Sequence, residues 1–157
     1  MQENQVLEQN IEQISEIIRG VVQALGIELQ VEAEVSATGV VFNISSPDSR
    51  LLIGQKGNNL YALQMLVQNV ANKRLGEVGR ISLDVDDYKK KREWYLRQTA
   101  KMALEHAMKT RRPVMLEPMH PAERRIIHAY LSENALFETE STGEGLERRI
   151  VIKLKSI

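Results

Sequence analysis

A chain of 157 residues has room for one domain or two small ones, and 43% hydrophobic with 27% charged residues supports a buried core rather than a disordered chain. The lack of cysteine excludes disulfides, thiolate metal sites and cysteine nucleophiles, and no apolar run reaches membrane-spanning length. Formal net charge is zero, but the first 50 residues hold two basic and eight acidic side chains, which leaves +6 on the remainder and permits a basic face there.

The N-terminus, Met1-Gln2-Glu3-Asn4, lacks the basic-then-apolar layout of a secretory signal, so a soluble, cytoplasmic protein without membrane insertion is expected. Leu7, Ile11, Ile14, Ile18, Val21 and Leu25 recur at three- and four-residue steps, which predicts a helix from Val6 to Leu25 stopped by Gly26. Leu29, Val31, Ala33 and Val35 then alternate with polar residues, and after a turn at Thr38-Gly39 so do Val40, Phe42 and Ile44. Two-residue alternation on both sides of a turn predicts an antiparallel hairpin. Phe42 and Ile44 are assigned to the core.

Ser49 to Ile53 leaves space for about one helical turn before the glycines at 54 and 57. Leu60, Leu63, Val67, Val70 and Ala71 mark the buried face of a longer helix ending near Arg74, and Ile81, Leu83 and Val85 a third strand. A second long helix is predicted from about Tyr88 to Lys109, its first turns exposing Lys89, Lys90, Lys91 and Arg92 and its later turns burying Leu96, Ala100, Ala103, Leu104 and Ala107. A short strand follows over Val114 to Leu116. Pro121 suits the first position of a helix reaching Leu131, and strands are predicted over Phe137 to Ser141 and Arg148 to Leu154.

Two groups of residues carry chemistry. In Leu52-Ile53-Gly54-Gln55-Lys56-Gly57 the glycines permit positive φ and close approach of a phosphate to backbone amides, and Gly57 opens a helix whose N-terminal dipole favours an anion. Lys56 adds a mobile cation at the loop tip and Gln55 a neutral donor. On the helix from Pro121, Arg124 and His128 are four residues apart and share a face, with Arg125 beside them, an arrangement suited to phosphate binding. Glu117, His120, Glu123 and His128 lack a familiar metal-ligand spacing, and there is no Gly-x-x-x-x-Gly-Lys-Ser/Thr segment. Neither enzyme activity nor a metal or cofactor is therefore expected.

The order helix, strand, strand, short helix, Gly-x-x-Gly, helix, strand resembles the type II KH domain, whose loop clamps the backbone of a few nucleotides beside an apolar groove. Residues 113 to 131, with the later Ser141-Thr142-Gly143-Glu144-Gly145 and Arg148-Arg149, look like the R-three-H domain, named for an arginine and a histidine with three residues between. KH followed by R-three-H is the layout of the bacterial Jag family, also called KhpB or SpoIIIJ-associated proteins.

The resemblance implies an α+β chain with a KH domain (αββααβ) over residues 1–87 and an R-three-H domain (αβαββ) over 88–157. It implies single-stranded RNA as partner, with single-stranded DNA a related ligand, bound through Ile53, Gly54, Gln55, Lys56, Gly57, Arg124, Arg125 and His128. A post-transcriptional role follows, as does a homodimer or a second KH protein as a further partner. The alternative is an adaptor or scaffold related to the cell envelope or division. Two departures stand out: the Jag-N domain of many members has no counterpart in these residues, so the resemblance does not carry over functions tied to it, and His120 stands where the family usually has asparagine. Histidine is a weaker helix cap, so a shifted helix start is expected.

Overall fold

The computed structural model describes residues 2–37 and 39–155, with the backbone course alone for residues 2–8. Thr38 of the expected turn, and the side chains of Val6 and Leu7, lie outside the described residues. The chain divides between Lys89 and Lys90 into two compact units. Among the described residues, no helix is long and apolar enough to cross a membrane.

In the first unit the elements are α1 (Gln2–Ala24), β1 (Gln30–Ser36), β2 (Gly39–Ser45), α2 (Ser49–Ile53), a single 3-10 turn (Gln55–Gly57), α3 (Asn58–Leu75) and β3 (Ile81–Val85). β1 pairs antiparallel with β2, and β2 pairs in parallel with β3, Phe42 facing Leu83. Parallel neighbours need a crossover rather than a hairpin, and here the crossover is α2, the glycine loop and α3. The glycine loop is thereby held between two helices that both pack on the sheet.

Ile14, Ile18 and Val22 of α1, Phe42 and Ile44 of β2, and Leu60 and Val67 of α3 form the core with β3. Both Phe42 and Ile44 are buried, as the alternation required. β3 is an edge strand, and side chains complete its free amides: Gln68 Oε1 accepts from Ile81 N at 2.8 Å, Gln64 Oε1 from Leu83 N at 3.0 Å, and Asp84 Oδ1 from Val85 N at 2.9 Å. Two of these acceptors belong to α3, so helix and strand are fixed by hydrogen bonds as well as by packing.

Three expectations for this unit need correction. Leu25 is exposed, because α1 ends at Ala24 and the chain turns at Gly26 with φ of 76°, while Ile17 and Val22 take its place in the core. Ala33 and Val35 are exposed although β1 forms, since the helices cover the sheet only as far as Val31 on this outer strand. Lys89 is not an exposed cation. Its ammonium donates to Gln64 Oε1 and Ser82 Oγ, both at 2.9 Å, and burial pushes its pKa down against the opposing pull of Asp84.

The second unit comprises α4 (Tyr88–Thr110, whose first residues precede the division), β4 (Val114–Met115), α5 (Pro121–Ser132), β5 (Phe137–Thr142) and β6 (Arg149–Leu154). β6 lies between β4 and β5, antiparallel to both. Leu96, Ala100 and Ala107 of α4 meet Ile127 and Leu131 of α5, Phe137 of β5 and Ile152 of β6 in a second core. Leu104, expected to be buried, is partly so.

Candidate nucleic-acid interface

The glycine loop has the backbone that its sequence demands. Gly54 has φ 70° and ψ −174°, a region only glycine occupies readily, and a Cβ there would stand 2.5 Å from Asn59 Cγ. Asn59 yields only by giving up the hydrogen bond that its side-chain amide donates to Leu51 O at 2.8 Å, which ties α3 to α2. Lys56 (φ 53°) and Gly57 (φ 79°) follow in the left-handed region. A Cβ at Gly57 would lie 2.8 Å from the Tyr88 ring and 3.3 Å from that of Tyr61. Gly57 is the N-cap of α3, and no side chain caps that helix end.

Gln55 is exposed at the tip, while Ile53 is half-buried against the first core. Lys56 departs from the expected mobile cation: it is half-buried and its backbone is held in the left-handed well. Sequence reasoning missed Asn59, Tyr61 and Tyr88, which set the shape of the loop. Asn59 carried a signal, being a polar residue one position before the buried Leu60, but its partner lies on another helix.

In the second unit the arginine and histidine are organised around the start of α5. His120 is the N-cap, its backbone N–H donating to Glu123 Oε2 at 3.1 Å in a capping-box arrangement, and Pro121 is the first helical residue. The helix therefore starts where the sequence placed it, and the expected shift from the asparagine-to-histidine change does not occur. Glu123 is 1% exposed, and its other oxygen accepts from Arg92 Nε at 2.7 Å. Arg92, expected to be an exposed cation like its neighbours, is instead the partner of this buried carboxylate. Burial pushes the His120 pKa below its usual value, Glu123 opposing and Arg92 and Arg124 adding to the shift.

Arg124 is half-buried and donates from Nη1 to Met119 O at 2.8 Å, which clamps its guanidinium beside the helix start. His128, one turn on, is exposed and shares a hydrogen bond between Nδ1 and Thr139 Oγ1 of β5. Arg125 points elsewhere: it is exposed and lines an open groove with Glu93, Arg97 and Tyr130, where Arg97 sits 5.9 Å from the centre of the Tyr130 ring. Of the three residues expected to act together, the structure thus keeps Arg124 and His128 on one side of α5 and turns Arg125 toward α4. Among the described residues, no three histidine, aspartate or glutamate side chains gather as a metal site.

Residues 95–154 match the R-three-H domain family, so the second unit carries an R-three-H domain. Preceded by an αββααβ unit with a Gly-x-x-Gly loop, it gives the α+β arrangement of KH plus R-three-H. The chain is 33% identical over 147 residues to the RNA-binding protein KhpB of Bacillus subtilis (strain 168), covering 92% of this chain and 71% of that protein. It is 37% identical over 131 residues to the RNA-binding protein KhpB of Clostridium symbiosum, covering 83% of this chain and 59% of the relative. With the protein of the same name from Lactiplantibacillus plantarum it shares 30% over 142 residues, 90% of this chain and 44% of the other. The chain belongs to the KhpB family, and spans from less than half to about seven tenths of the length of these relatives.

Proposed function

We propose that this protein binds single-stranded RNA in post-transcriptional regulation, as a binding protein rather than an enzyme. In this reading the Gly54–Gly57 loop holds backbone phosphate in the KH unit, with Ile53 at the edge of the base-binding groove. Arg124, Arg125 and His128 supply a second set of contacts from the R-three-H domain. The observation that carries it is the loop backbone: Gly54, Lys56 and Gly57 all have positive φ, and α3 starts from the last of them without a side-chain cap. Amides arranged around such a bend, at the positive end of an 18-residue helix, favour an anion and are indifferent to base identity. The KhpB relatives are named as RNA-binding proteins, which supports RNA as the polyanion.

The test is competition between single-stranded RNA and duplex DNA of matched length, followed by fluorescence anisotropy, with wild type and the Gln55→Asp, Lys56→Asp double variant. Wild type should prefer the single strand. The double variant should keep its fold by circular dichroism, because neither substitution touches a glycine, and lose most of its affinity. Equal or tighter duplex binding, or unchanged affinity in the folded variant, would remove the loop from the account.

A further inference from the structure

Trp94 is the chain's single tryptophan, and on α4 it stands 65% exposed. The buried line of that helix is Leu96, Ala100, Ala103 and Ala107, and at 3.6 residues per turn Trp94 falls on the opposite side. Lys90 lies one turn before it, Gln98 one turn after and Lys101 two turns after, all of them exposed. Glu105, a further turn along, is the acid on this line.

An indole left in water adds nothing to the core, and most tryptophans bury their large apolar surface. Tyr95, the neighbouring exposed ring, is placed differently, with the Arg92 guanidinium 5.3 Å from its centre. Trp94 instead stands between lysines. Lysine is depleted from the cores of protein–protein interfaces, where a tryptophan would sit among apolar neighbours. A flat ring flanked by flexible cations matches a single strand, in which bases and phosphates alternate within reach of one helix face.

We propose that Trp94 is a base-stacking platform for single-stranded RNA, with Lys90 and Lys101 holding the adjoining phosphates. This inference rests on the RNA-binding reading above and adds a site that neither the glycine loop nor the arginine–histidine pair supplies. It adds a base contact on α4 to the groove beside Ile53.

The test titrates the whole chain with oligouridylate while anisotropy of labelled RNA and tryptophan emission are recorded together. Because there is one tryptophan, any change in emission reports on this position alone. Stacking should quench emission with the same midpoint as the anisotropy change. Trp94→Ala should weaken binding about 5- to 150-fold, the range for loss of one stacked base, with the salt slope unchanged. Trp94→Phe, which keeps a π-face, should retain most of the affinity, and Lys90→Ala with Lys101→Ala should make the salt slope shallower. Circular dichroism checks that each variant is folded, as an exposed position allows. A folded Trp94→Ala variant that binds within twofold of wild type overturns the platform while RNA binding stands. A wild-type protein that gives no anisotropy change with any single-stranded RNA overturns the parent reading, and the platform with it.

Discussion

Removing the Glu123 carboxylate should strongly destabilise the R-three-H unit, and the size of that effect follows from its contacts. The carboxylate is 1% exposed, accepts from Arg92 Nε at 2.7 Å and from His120 N at 3.1 Å, and so serves two groups at once. Glu123→Ala leaves the Arg92 guanidinium, 15% exposed, in a poorly solvated position without that counter-charge. Breaking a buried ion pair from one side costs about 3–5 kcal/mol, and the residual access of water to Arg92 argues for the lower end, about 3 kcal/mol. Loss of half the helix-capping arrangement adds about 0.5–1 kcal/mol. A unit of this size has a total stability of roughly 3–10 kcal/mol, so a loss near 4 kcal/mol removes from about two fifths to all of it.

Urea unfolding followed by far-ultraviolet circular dichroism is the assay, and the transition that moves between wild type and variant is that of the second unit, which holds both partners. Glu123→Gln keeps an acceptor oxygen for only one of the two donors, sets its NH2 against the other and removes the charge, so it should cost about 1.5–3 kcal/mol. The double variant Arg92→Met, Glu123→Leu should recover most of the loss, because it removes the uncompensated charge together with its partner. A cost below about 1 kcal/mol for Glu123→Ala, or no recovery in the double variant, would refute the view that this pair organises the domain.

Three further outcomes are expected. Gly54→Ala should destabilise the first unit by about 1–3 kcal/mol, because its Cβ meets Asn59 and its backbone well is unfavourable for alanine; a thermal melt unchanged from wild type would count against the rigid loop. Arg124→Ala and Arg125→Ala should each make the salt slope of RNA binding shallower by about 0.7, but only Arg124→Ala should also cost about 1 kcal/mol of stability, through the lost bond to Met119 O. The third concerns pH. Because the folded state lowers the His120 pKa, the unfolded chain binds more protons below about pH 6.5, so this residue makes stability fall as pH drops through that value. Thermal melts between about pH 7.5 and 5.5 should show a smaller fall for His120→Asn than for wild type, and identical slopes would exclude the histidine as the cause.

Much of this architecture is local and was therefore legible in the chain itself. The two-residue alternation of Val40, Phe42 and Ile44, the helical spacing of Leu60, Leu63 and Val67, and Pro121 at a helix start each depend on neighbours a few residues away. The Gly-x-x-Gly loop was equally visible, since positive φ at Gly54 and Gly57 is a property of glycine. What the tertiary structure alone decided is which charges are committed to partners inside the fold. Lys89, Lys90, Lys91 and Arg92 read as one basic run, yet Lys89 is held by Gln64 and Ser82 and Arg92 by a carboxylate 31 residues away. The same holds for Arg125, which turns toward Arg97 and Tyr130 rather than joining Arg124 and His128. Helical periodicity assigns a residue to a side of its own element, but the groups that meet that side come from other elements, through pairings that no local rule encodes.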